Sequence, residues 1–229
     1  MAGIQDYWEF CDDFFGAGTL TASPAGSDNW DIADTSSAGT PTYVYVDGSS
    51  SGEVALDFDS QAEAQNVCLF QSDKLQFDID KIQGAEFRVK MNQAAADATT
   101  SFAIGLTGDR NDAIDSIAQA AIFRVVGADS TTAVVVETDD GTNDNNDFAT
   151  GQTLINAYKR LKIDFSNGTS DVRFFMDDGN GALVRVASTT TFDMSNYTGS
   201  LQIFAQIQKT SDANTDGFTL DYVKVWGKR

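Results

Sequence analysis

Apolar and polar side chains alternate with a period of two along most of the 229 residues, and this repeat constrains the chain more than any other feature. It is clearest over residues 160–181, RLKIDFSNGTSDVRFFMDDGNG. Leu161, Ile163 and Phe165 alternate with Lys162 and Asp164, Asn167-Gly168 supplies a turn dipeptide, and Val172, Phe174 and Met176 resume the pattern. This stretch reads as a β-hairpin with those six apolar residues facing a core. In residues 85–91, Phe87, Val89 and Met91 oppose Glu86, Arg88 and Lys90. Further strands are expected at 7–15, 30–32, 42–46, 54–58, 66–70, 75–79, 101–106, 120–126, 132–137, 183–186, 201–208 and 218–226. Residues 16–29 and 138–147 read as loops, and 109–117 as a polar excursion holding a helical turn.

No segment sustains a 3.6-residue period and none reads as an interdomain linker. Numerous short strands with turn residues between them predict an all-β protein: one antiparallel two-sheet sandwich spanning residues 1–229, a jelly roll, with a β-barrel as the alternative. Residues 1–15 read as an arm or edge strand. Hydrophobic residues make up 41% of the chain and include sixteen Phe, enough to fill a sizeable core.

The formal charge is -19, and only Glu9, Glu53, Glu63, Glu86 and Glu137 of the 34 acids are glutamate. Aspartate favours turns over helix interiors, in keeping with strands joined by acidic loops. Such a field repels phosphate backbones and anionic membranes, so neither nucleic acid nor a membrane is expected as a partner. A more basic protein surface is compatible with it, as is a role in solubility alone. Histidine is absent, which removes Ser-His-Asp and Cys-His catalysis and every His-containing metal site. Cys11 and Cys68 read as buried free thiols, one disulfide being the alternative. The N-terminal residues lack a signal-peptide pattern, so synthesis in the cytoplasm without secretion is expected.

Three features of the sequence bear on chemistry. The loop carrying Asp139, Asp140, Asp144 and Asp147 clusters hard oxygen ligands for Ca²⁺, yet Gly141 sits third in the run and no Glu closes it, so the EF-hand pattern fails. Turn formation alone also accounts for such a loop. A glycosidase needs paired carboxylates, and the strand motif Glu-x-Asp-x-x-Glu of sandwich glucanases is not met by Glu137 and the residues after it; catalysis is not expected. Phe175, and Phe204 beside Gln206, are placed on the sheet faces away from the main apolar rows. There they could stack a sugar, contact a partner or form a second core layer.

Residues 75–81 (LQFDIDK), 105–118 (GLTGDRNDAIDSIA), 137–147 (ETDDGTNDNND), 160–165 (RLKIDF), 171–179 (DVRFFMDDG) and 220–226 (LDYVKVW) resemble a concanavalin-like, laminin-G-like jelly-roll protein of tailed-bacteriophage heads. The resemblance implies a capsid decoration, or cement, protein on the virion surface. Its expected partner is the major capsid protein, and the resemblance implies a homo-oligomer, a trimer at local three-fold positions being the form that capsid geometry suggests. No cofactor other than the Ca²⁺ just considered is implied. The alternative function is a carbohydrate-binding module on the phage head or tail.

Overall fold

The computed structural model describes residues 6–16, 18–20 and 30–229. Most of the loop expected at 16–29 lies outside the described residues. Among the described residues the chain forms sixteen strands and two short 3₁₀ turns, Ile114–Ser116 and Thr169–Asp171. The strands are β1 (Tyr7–Asp12), β2 (Asp31–Asp34), β3 (Thr42–Tyr45), β4 (Val54–Asp57), β5 (Gln65–Phe70), β6 (Phe77–Asp78), β7 (Ile82–Met91) and β8 (Thr100–Thr107). They continue as β9 (Ala120–Val126), β10 (Ala133–Asp139), β11 (Asp144–Thr153), β12 (Lys159–Asp164), β13 (Arg173–Asp177), β14 (Leu183–Val186), β15 (Ser200–Lys209) and β16 (Gly217–Lys228).

The strands assemble into two antiparallel sheets. The first runs β14-β13-β12-β7-β16-β4-β3, with β1 also pairing β16; the second runs β11-β10-β9-β8-β15-β5-β2, with β6 also pairing β15. β16 is long enough to hold β4 at residues 217–220 and β1 at 223–228 along the same edge. The expected arm is therefore a paired strand, with Tyr7 opposite Lys228.

Period two drives the packing. Leu161, Ile163, Phe165, Val172, Phe174 and Met176 are all buried in the core between the sheets, as are Phe87, Val89 and Met91. Aromatic pairs cross the sandwich. Phe123 of the second sheet meets Phe174 of the first edge-on at 5.2 Å, and Phe102 meets Phe218 at 4.4 Å. Each such ring contributes about 1.5–3 kcal/mol by leaving water. On β1, Trp8 stacks on Phe77 at 5.6 Å and fastens the N-terminal strand to the body.

Four expectations are corrected. Of the loop expected at 138–147, residues 138–139 end β10 and 144–147 open β11, which is held on β10 by the pairs Val135–Ala149 and Val136–Phe148. The 160–181 hairpin is not closed by a tight two-residue turn. Leu161 pairs with Met176 and Ile163 with Phe174, and the connection between them contains Gly168 at φ 87° and the second 3₁₀ turn. Contacts with a neighbouring segment hold it open, through Val172 N–H to Phe192 C=O and Met194 N–H to Thr169 C=O. Cys11 is exposed, since it shares the outward row of β1 with Glu9, whereas Cys68 is buried and its thiol is pushed well up by burial.

The fourth concerns Phe204 and Gln206, which are fully buried: of the roles open to Phe204 the structure shows the second core layer, and neither residue offers an exposed contact surface. A second apolar cluster on the outer side of the second sheet joins Phe204 to Cys68, Phe70, Ala103, Ala120 and Ile122. Ile114 and Ile117, from the first 3₁₀ turn and the residue after it, cap this cluster. Gln206 Nε2 donates to Asp112 C=O at 2.8 Å, and Gln202 Nε2 donates to Gly108 C=O at 2.8 Å. The glutamines anchor the overlying loop. They do not present a free amide row.

Candidate functional site on the open face of the first sheet

The middle of the second sheet's outer face is capped, whereas most outward side chains of the first sheet are half-buried or exposed. Strand register arranges its outward side chains in rows. Cys11, Lys224, Glu86, Lys162, Phe175 and Arg185 stand opposite one another across six strands. The adjacent row is Glu9, Trp226, Gly84, Asp164 and Arg173, and the row beyond Lys224 carries Tyr222, Arg88 and Arg160.

Trp226 is central to this surface. Its indole lies across β7 at Gly84, where an added Cβ would stand 2.5 Å from Cζ2 of the ring. Glycine at 84 is what lets the ring lie flat on the sheet. Lys224 Nζ is 5.8 Å from the ring centroid and Lys162 Nζ, two strands away, is 5.7 Å from it. Lys162 is also 5.4 Å from the half-buried Phe175 ring. Of the residues singled out in the sequence for a surface role, only Phe175 is at this face.

Tyr7, Trp8, Glu9, Glu86, Lys224 and Trp226 line an open cleft of about 610 Å³. Tyr7 is 61% exposed, the most accessible aromatic of the lining. Lys224 Nζ is 2.8 Å from Glu9, which holds the ammonium above its ordinary pKa. The Tyr222 hydroxyl donates to Glu86 at 2.5 Å, and burial together with that bond raises the phenol pKa. A flat aromatic platform rimmed by fixed carboxylates and ammoniums can stack an apolar ring face and hydrogen-bond the polar groups around its edge.

Cations and carboxylates interleave on this face. Its outward cations include Arg88 and Lys90 on β7, Arg160 and Lys162 on β12, Arg173 on β13, Arg185 on β14 and Lys224 on β16, drawn from only 15 Lys and Arg in the chain. The carboxylates beside them include Glu9, Glu86, Asp164, Asp171, Asp177 and Asp221, and most of these cations are paired with one of them.

The expected Ca²⁺ loop is occupied differently. Asp140 is buried, and its carboxylate accepts from Thr142 N–H, Asn143 N–H, Asn143 Nδ2, Asn196 N–H and Asn196 Nδ2. Asp139 accepts from Gly141 N–H, Asp144 from Asn146 Nδ2, and Asp147 is 3.5 Å from Arg124. The four carboxylates are engaged in these hydrogen bonds and one ion pair, and among the described residues no three His, Cys, Asp or Glu gather to hold a metal ion. Glu137 is 3% exposed and bonded to Arg124 at 2.5 Å; burial pushes its pKa up while the guanidinium opposes that shift.

The paired sheets and their connections define the class as a concanavalin-like jelly roll, and solved structures agree. A protein of unknown function from Shewanella oneidensis MR-1 matches with TM-score 0.64 and 11% identity, over 97% of this chain and 87% of that one. A Bacteroides ovatus GH16 protein, solved with a mixed-linkage glucan product, matches with TM-score 0.62 and 11% identity, over 94% of this chain and 99% of its own. The carbohydrate recognition domain of Emp47p matches with TM-score 0.56 and 12% identity, over 93% and 95%. At such identities the likeness establishes the fold. No protein-family model and no curated protein sequence matches the chain.

Proposed function

We propose that this protein is a non-catalytic carbohydrate-binding module whose binding face is the outer surface of the first sheet, centred on Trp226. The observation that carries the reading is the indole held flat over Gly84 in a cleft that also presents Tyr7, Glu9, Glu86 and Lys224. Sugar rings offer an apolar C–H face and a polar rim, and this surface complements both. Support comes also from the neighbours: one is a carbohydrate recognition domain and another was solved with a glucan product. The non-catalytic part rests on the sequence, where Glu137 and the residues after it do not meet the Glu-x-Asp-x-x-Glu strand motif of sandwich glucanases.

Immobilised polysaccharides and oligosaccharides spanning neutral and acidic classes test the reading. Retention of the wild type on at least one class, lost in Trp226→Ala, is expected, with no reducing sugar released. Retention on none, or retention unchanged by the substitution, would remove it. The phage-head resemblance supports a second reading, a decoration protein that cements major capsid subunits as a homo-oligomer and stabilises them by linkage. That reading predicts co-sedimentation with assembled capsids in the absence of any glycan.

A further inference from the structure

We propose that the ligand of the Trp226 cleft is a neutral saccharide chain that lies across the strands from β7 to β1 and covers at least two linked rings, with Tyr7 as the second stacking platform; this rests on the glycan-binding reading above. The Trp226 indole lies over Gly84 on β7, to one side of β16, and Tyr7 stands on β1, to the other side. Neighbouring strands are about 4.8 Å apart, so the two aromatics are offset by about 10 Å across the sheet, roughly twice the length of one sugar ring. One ring stacked on the indole leaves Tyr7 bare, whereas a chain that runs on toward β1 reaches it. The cleft that both residues line, at about 610 Å³, has room for more than one ring.

The order of charges along the cleft selects a neutral chain. Glu86 stands opposite Lys224 on one side and Lys162 on the other. Glu9 is 2.8 Å from Lys224, and Asp164 is 3.4 Å from Lys162. A charged ligand would therefore meet a like charge beside each countercharge. Hydroxyl groups both donate and accept, so they find a partner at every position: they donate to the free lone pairs of Glu9 and Glu86 and accept from Lys224.

Tyr7 is 61% exposed, yet its strand is fastened on both sides of it. Trp8 stacks on Phe77 and its Nε1 donates to Lys228 C=O at 2.9 Å, while Arg229 N–H donates to Asp6 C=O at 2.9 Å. The phenol is thus presented from a fixed backbone, which lowers the ordering cost of binding. Stacking and hydroxyl hydrogen bonds are also far less sensitive to salt than ion pairs are.

Affinities measured by NMR titration of the intact protein test this, using glucan, mannan, xylan and galactan oligosaccharides of one to five rings, with oligogalacturonate of the same lengths as the charged comparison. The expected result is that at least one neutral series gains about tenfold or more in affinity between one ring and three and levels off beyond. That series should bind alike at about 0.15 M and about 1 M salt, and oligogalacturonate should bind no more tightly. Tyr7→Ala should remove the gain, bringing the three-ring affinity down about tenfold toward that of one ring, whereas Trp226→Ala weakens every length. A flat response to chain length, tighter binding of oligogalacturonate, or a Tyr7→Ala protein that keeps the length dependence would overturn the inference while glycan binding at Trp226 stands. If no series binds, or Trp226→Ala leaves binding intact, the glycan-binding reading itself falls and takes this inference with it.

Discussion

Gly84 and Asp140 show how single residues set the geometry of this molecule. Gly84 leaves room for the Trp226 indole, and Gly84→Ala would place a methyl 2.5 Å from the ring. The expected outcome is a displaced indole: a changed tryptophan emission spectrum and saccharide affinity lowered by about tenfold, an amount equal to about 1.4 kcal/mol, with the melting temperature little altered. Unchanged emission and affinity would mean that the flat indole is not what binds. Asp140 joins the β10–β11 turn to Asn196 through hydrogen bonds to both carboxylate oxygens. Asp140→Ala should cost about 3 kcal/mol in urea unfolding, since several buried donors lose a charged acceptor. Burial raises the Asp140 pKa, but its hydrogen bonds outweigh burial and leave it below the ordinary 3.8. Its contribution is thus complete above that value and is lost as pH falls through the depressed native pKa. The stability gap between wild type and Asp140→Asn should narrow in the same interval. A gap that stays constant on acidification would contradict this.

At the scale of elements, the segment between β8 and β9 holds the helical turn expected at 109–117, at Ile114–Ser116, but its packing was not expected. It carries Asp109, Asn111, Asp112 and Asp115, yet it also inserts Ile114 and Ile117 over Cys68 and Phe204. Asp115 pairs with Arg124 at 2.5 Å, and Asp112 C=O receives Asn66 Nδ2 and Gln206 Nε2. Ile114→Ala should destabilise the protein by about 2–4 kcal/mol. In a Cys11→Ser background it should also let a thiol reagent reach Cys68 faster than global unfolding allows. Labelling that tracks global unfolding in both proteins would show that the cap does not open on its own. Strands with apolar residues on one face only were legible in the sequence, because period two reports the buried side directly. β11 was not, since its residues are mostly polar and its place at the sheet edge comes from β10. The burial of Phe204 and Gln206 was hidden for a related reason. Alternation shows that two faces exist, but the cover on the second face comes from a loop nearly a hundred residues away in sequence.

For the molecule as a whole, β1 and β16 close on each other, with β1 paired along residues 223–228 of β16 and Trp8 stacked on Phe77. Trp8→Ala should therefore loosen β1 and with it Tyr7 and Glu9, lowering saccharide affinity together with stability by about 3 kcal/mol or more. A loss of stability with affinity intact would place the binding residues elsewhere. The jelly roll could be read from its strands and terminal pairing. The site could not, because Tyr7, Glu9, Gly84, Glu86, Lys162, Lys224 and Trp226 come from β1, β7, β12 and β16 and have no shared sequence motif. Only the register of four strands brings them together. The most direct test of where the protein binds is an NMR titration of ¹⁵N-labelled protein with a saccharide that it retains. The account predicts the largest shifts at the Trp226 indole N–H and at the backbone amides of β1, β7 and β16. Shifts confined to the second sheet and its covering loop, with the Trp226 signal unmoved, would contradict it.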